Sequence, residues 1–109
     1  MDDLLRALAD PTRRAILVLA WGDELTAGDI AARFPLTRPA VSQHLAVLKG
    51  AGLLEERRAG TRRYHRASPA PLEEVRGFLD QFRDARLARL RRLAEQEERR
   101  RGSEAASPR

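Results

Sequence analysis

Residues Leu36 to Arg66 read LTRPAVSQHLAVLKGAGLLEERRAGTRRYHR, a one-sided helical pattern that runs into two basic segments around a glycine. Val41, Leu45 and Leu48 recur at i, i+4, i+7 and mark an inward helix face. Thr37 is placed to cap that helix, Lys49 falls in its last turn and Gly52 just past its end. Beyond it, Leu53 to Arg58 and Thr61 to Arg66 are expected as short strands around Ala59-Gly60, where glycine tolerates the positive φ of a tight turn.

Working outward, Thr26 and Asp29 resemble a capping box with Asp in place of the usual Glu, so a short helix is expected from Ala27 to about Phe34, closed by Pro35. Two helices joined by the linker Pro35 to Thr37 make a helix-turn-helix, and the hairpin after it is a wing. Upstream, Leu4, Leu5 and Leu8 sit at helical spacing in Asp2 to Ala9, and Asp10-Pro11 opens a second helix whose buried stripe is Ile16, Leu17, Ala20 and Trp21, ended by Gly22. Downstream, Ser68-Pro69 precedes one long helix from Leu72 to about Arg99. The fold class is therefore mostly α with a small β-hairpin: a winged helix-turn-helix of about five helices and a two-stranded wing. Domain bounds are set at 1–98, with 99–109 as a flexible basic tail.

Charge is segregated in the same place. Between Arg33 and Arg66 stand eight basic residues against Glu55 and Glu56 alone, while the remainder carries thirteen basic and fourteen acidic groups. The whole net charge of +5 thus comes from one third of the chain, the footprint of a surface that meets a polyanion. With no Cys, disulfides, thiolate metal sites and cysteine nucleophiles are excluded together. The longest apolar run, Ala15 to Trp21, is far short of the roughly 20 residues that span a membrane, so the expected location is the cytoplasm, with no membrane partner.

Double-stranded DNA is the polyanion this arrangement suits. With Val41, Leu45 and Leu48 inward, Gln43, Ala40 and Val47 turn outward, flanked by Arg38, Ser42 and His44. Gln43 is the leading base reader, because its amide can pair bidentately with adenine. Arg38 can reach guanine or phosphate, and Ala40 and Val47 can meet thymine methyls. Thr37 and Ser42 offer hydroxyls near the helix N-terminus, for phosphate or for capping. On the wing, Arg57, Arg58, Thr61, Arg62, Arg63 and Tyr64 form the candidate backbone-contact set, Tyr64 being read mainly as packing. His44 and His65 are both read as lying on the DNA side.

The long last helix carries more apolar surface than a small lone domain needs. Leu4, Leu5, Leu8, Val75, Phe78, Leu79, Phe82, Leu87 and Leu90 are therefore expected at an interface with a second copy.

Three pieces together resemble the bacterial ArsR/SmtB winged-helix repressors from Leu4 to about Leu93. They are Leu8-Ala9-Asp10-Pro11-Thr12-Arg13-Arg14; then Ala40-Val41-Ser42-Gln43-His44-Leu45 with Leu48 and Ala51-Gly52-Leu53; and the Gly60 to Tyr64 wing. The resemblance implies a homodimer built on the first and last helices, which binds an imperfect inverted repeat and blocks transcription. It also implies groove contact by the helix holding Ser42, Gln43 and His44. Metal-sensing members carry two cysteines where this chain has Thr26 and Gly28, and zinc-sensing members carry histidines on a last helix that has none here. Neither a metal site nor a cofactor is expected. An enzyme is not expected either, since no nucleophile, base and orienting group assemble. The alternative reading is a DNA-binding subunit that answers to metal or ligand through a separate sensor protein docked on the outer face of the long helix.

Overall fold

In the computed structural model, residues 1–106 are described, with side chains up to residue 104. The elements run α1 (Asp2–Leu8), α2 (Pro11–Leu19), α3 (Ala27–Arg33), α4 (Arg38–Gly50), β1 (Leu54–Ala59), β2 (Arg62–Ala67) and α5 (Ala70–Ala106). They divide into two compact units, Met1–Val75 and a second from Arg76 onward.

The first unit is organised by its helix ends. Asp10 accepts from the backbone N–H groups of Thr12 and Arg13 at 2.7 and 3.2 Å, opening α2 at Pro11. Arg13 and Arg14 turn back instead and cover the last carbonyls of α1: Arg13 Nε donates to Ala7 O and Arg14 Nη1 to Leu8 O, both at 2.7 Å. Asp10-Pro11-Thr12-Arg13-Arg14 is thus one α1–α2 junction. The capping box of α3 is complete, with Thr26 Oγ1 accepting from Asp29 N and Asp29 Oδ2 from Thr26 N.

Val41, Leu45 and Leu48 of α4 are buried in a core shared with Leu4 and Ala7 of α1, Ile16 and Leu17 of α2, Ile30 of α3, and Leu53 and Leu54. The wing pairs antiparallel from Leu54↔Ala67 to Ala59↔Arg62. The turn is therefore Gly60-Thr61, one residue later than the sequence suggested, with Gly60 at φ +64°. On the other edge of β2, Leu25 and His65 exchange both backbone hydrogen bonds, which anchors the wing to the segment before α3.

Several expectations are corrected. Trp21 lies beyond the end of α2, exposed at 51%, so the buried stripe of that helix stops at Ala20. Leu4 is 4% exposed, so it belongs to this chain's own core and has almost no surface left for a second copy. Leu8 and Val75 are half-buried against the same core. In the second unit α5 continues to Ala106, past the expected stop near Arg99. The cause is side-chain spacing: Arg100 bonds Glu97 and Glu104, at i−3 and i+4, both at 2.6 Å. Residues 107–109 of the expected tail lie outside the described residues.

Truncating the inner face of α4 tests this packing. Leu48→Ala should cost about 2–5 kcal/mol in urea unfolding, while Val18→Ala, on the exposed side of α2, should stay within about 0.5 kcal/mol.

Candidate nucleic-acid interface

Burial of Val41, Leu45 and Leu48 leaves the opposite side of α4 open. Ser42, Gln43, Ala46 and Val47 are exposed along it, Val47 at 42%. Ala40 and His44 are half-buried at its margins. Thr37 Oγ1 accepts from Ala40 N at 3.3 Å, so its hydroxyl is engaged in capping. Arg38 lies across Gly28 of α3: a Cβ built there would stand 3.2 Å from its guanidinium, which would have to shift slightly to make room.

The basic residues of the wing are not equivalent. Arg57 grips Glu24 with two nitrogens, Nε at 3.0 Å and Nη2 at 2.5 Å, and its guanidinium carbon lies 4.9 Å from the centre of the Tyr64 ring. The Arg57 hydrogen bond holds the Glu24 carboxyl below its ordinary pKa. Lys49 bonds Glu56 Oε2 at 2.7 Å, Arg63 stands 3.6 Å from Glu56 Oε1, and Arg66 stands 3.7 Å from Glu55. Among the described residues, Arg33, Arg38, Arg58 and Arg62 have no carboxylate partner. Of the eight cations counted in sequence, these four stand apart from any carboxylate, while Lys49 and Arg63 share the single carboxylate of Glu56.

Tyr64 is half-buried beside Arg57, in keeping with a packing role, and Thr61 sits exposed in the turn. His65 is corrected outright. At 5% exposure it lies under the wing, directly opposite Glu56, and no duplex could reach its ring. Sequence reasoning missed Glu24, because its partner Arg57 is 33 residues away and only the Leu25–His65 bridge brings them together.

Of the interface residues expected for a second copy, Leu5, Phe78, Leu79, Phe82, Leu87 and Leu90 are exposed. Phe78 and Phe82 meet edge to face at 5.2 Å. No three His, Asp or Glu side chains cluster as a metal site among the described residues.

Known proteins are similar to this chain in sequence and fold. A family profile described as a helix-turn-helix domain matches residues 8–57. Transcriptional repressor SdpR of Bacillus subtilis (strain 168) is 39% identical over 82 residues, covering 75% of this chain and 91% of the repressor. An ArsR-like transcriptional regulator from Rhodococcus sp. RHA1 superposes with a TM-score of 0.74 at 32% identity, covering 87% of this chain and 90% of that one. The chain belongs to the ArsR/SmtB family of helix-turn-helix transcriptional regulators. The homodimeric winged helix-turn-helix DNA-binding domain of Mb0332 from Mycobacterium bovis also matches, with a TM-score of 0.62 at 30% identity, over 76% of this chain and 77% of that domain. Membership makes the chain a DNA-binding transcriptional regulator rather than an enzyme.

His65 gives a pH test of the wing. Burial is the largest influence and pushes its pKa below the ordinary 6.5; Glu56 opposes this and Lys49 and Arg63 add to it. The folded state then binds fewer protons than the unfolded chain, so this contribution to stability is complete above about pH 6.5 and is lost as pH falls through the window below it. The urea midpoint should drop between about pH 7.5 and 5.5, and His65→Leu should flatten that drop.

Proposed function

We propose that the chain is a homodimeric repressor that binds an inverted-repeat operator, with one α4 in each of two successive major grooves and the wings on the flanking backbone. The observation that carries this reading is the contrast across α4: Val41, Leu45 and Leu48 fix one side in the core, while Ser42, Gln43, Ala46 and Val47 stand exposed on the other. Gln43 reads a base edge, Val47 meets thymine methyls, and Arg58 and Arg62 neutralise phosphates. Arg57, held by Glu24, positions the wing.

Dimerisation is supported by the second unit, where Phe78, Leu79, Phe82, Leu87, Leu90 and Leu93 are between 38% and 63% exposed on one helix. A second copy covers this surface, and Leu5, exposed on α1, is taken separately as a contact with a second copy. The homodimeric relative and the relative named a repressor support the assembly and the sign of regulation. A regulator acting on promoter DNA works in the cytoplasm, and that is the location this reading implies.

A gel shift on the region upstream of the chain's own reading frame should show preference over random DNA of equal length; equal affinity for both would refute the sequence-specific reading. Arg62→Ala should weaken both classes of DNA alike and lower the salt slope by about one, with much less change in Arg57→Ala. Gln43→Ala should mainly relax base preference. In sedimentation, Phe82→Glu should shift dimer to monomer, since a buried unpaired carboxylate costs several kcal/mol, on the order of the stability of a modest interface.

A further inference from the structure

Arg38 opens α4, but it does not share the outward side of that helix. It stands four residues before Ser42 and seven before Leu45, on their side of α4, and roughly 140° round the helix from Gln43 at about 100° per residue. With Ser42 it borders a groove whose other wall holds Thr61 and Arg62 of the wing. From there its side chain reaches back over the first turn of α3, to Gly28.

Three atoms of the guanidinium, Nη2, Cζ and Nη1, stand 3.2, 3.4 and 3.5 Å from the point a Cβ on Gly28 would take. The central carbon is no farther away than the outer nitrogen, so the planar group turns a face rather than its N–H edge to the helix. A guanidinium points its N–H groups outward in its own plane, and one held by its face therefore keeps its donors. Arg57 is restrained in the opposite way, with two nitrogens spent on Glu24. Among the described residues Arg38 has no carboxylate partner and donates no side-chain hydrogen bond. It is ordered without being consumed, and ordering a long side chain beforehand removes a cost that binding otherwise bears. Gly28 permits the contact because backbone without a Cβ admits close approach. A methyl there shifts the guanidinium only slightly, whereas a β-branched side chain, stiff at χ1, takes up the place itself.

We propose that Gly28 is a positioning residue for DNA binding: it is the platform on which Arg38 is ordered in advance to meet a backbone phosphate between the start of α4 and the wing. A phosphate, rather than a base edge, is assigned because Arg38 lies on the flank of α4 and not on the side of Gln43. The DNA contact rests on the function proposed above; the ordering of Arg38 by Gly28 does not.

The test is a double-mutant cycle on Gly28→Val and Arg38→Ala, read by titration with a duplex from the chain's own upstream region and with random duplex, together with nitrogen relaxation of the Arg38 Nε–H group in the DNA-free chain. Gly28→Val should weaken both duplexes alike by about two- to tenfold, the range for ordering one long side chain. Arg38→Ala should weaken both at least as much and lower the salt slope by about one. Once Arg38 is removed, Gly28→Val should change affinity no further, an outcome that general damage to α3 would not reproduce. Without DNA, the Nε–H group should be rigid in the unaltered chain and mobile in Gly28→Val. Gly28→Ala, which favours a helix, keeps the test decisive if Gly28→Val fails to fold: the urea midpoint should rise while affinity falls by a smaller factor, again only when Arg38 is present. Equal losses with and without Arg38, or an Nε–H group as mobile in the unaltered chain as in the variant, would overturn the proposal. So would an Arg38→Ala chain that relaxes base preference while holding random duplex as tightly as before. A chain that binds neither duplex but keeps a rigid Arg38 would uphold the platform and defeat the DNA reading instead.

Discussion

Burial of Val41, Leu45 and Leu48 is the constraint on which the remainder depends. These side chains enter a core supplied by α1, α2 and α3, and their burial fixes the rotation of α4 about its own axis. A helix turned by one residue would move roughly 100° and could carry Ser42, Ala46 and Lys49 to the core positions, at the cost of a buried hydroxyl and a buried ammonium without partners. The same core holds Leu53 and Leu54 at the root of the wing, so the outward side of α4 and the hairpin are set by one act of packing.

The wing is tied to this frame by charge as well as by backbone. Lys49 at the end of α4 holds Glu56 on β1, and Glu24 before α3 holds Arg57 beside Tyr64. These pairs take charge away from the surface. What is left unpaired, Arg33, Arg38, Arg58 and Arg62, is a smaller set than a count of arginines implies. Exposed pairs of this kind contribute little to stability, so their consequence lies in geometry and in which cations remain for phosphate.

Much of the fold was legible because its signals are local. The caps at Asp10, Thr26 and Thr37, the 3.6-residue spacing on α4 and the glycine at 60 each act within a few residues, and each appears where local chemistry puts it. Non-local features were hidden. Leu4 carries the same apolar signal whether it faces its own core or a second copy, and His65 looks like a surface histidine until β2 alternation turns it inward. The partner of Arg57 was invisible because Glu24 is distant in sequence. The reach of α5 was readable in principle from the spacing of Glu97, Arg100 and Glu104, but the run of three arginines suggested fraying instead.

We propose that the exposed side of α4 and the tip of the wing form one DNA-binding surface. The most direct test is an amide chemical-shift titration of the full chain with a duplex from its own upstream region, at moderate salt. The largest shifts should fall at Ser42, Gln43, Ala46 and Val47 and around Gly60 to Arg63, with small changes along the outer part of α5. Shifts concentrated instead on the basic positions of α5, such as Arg86, Arg89 and Arg92, with α4 unmoved, would contradict it.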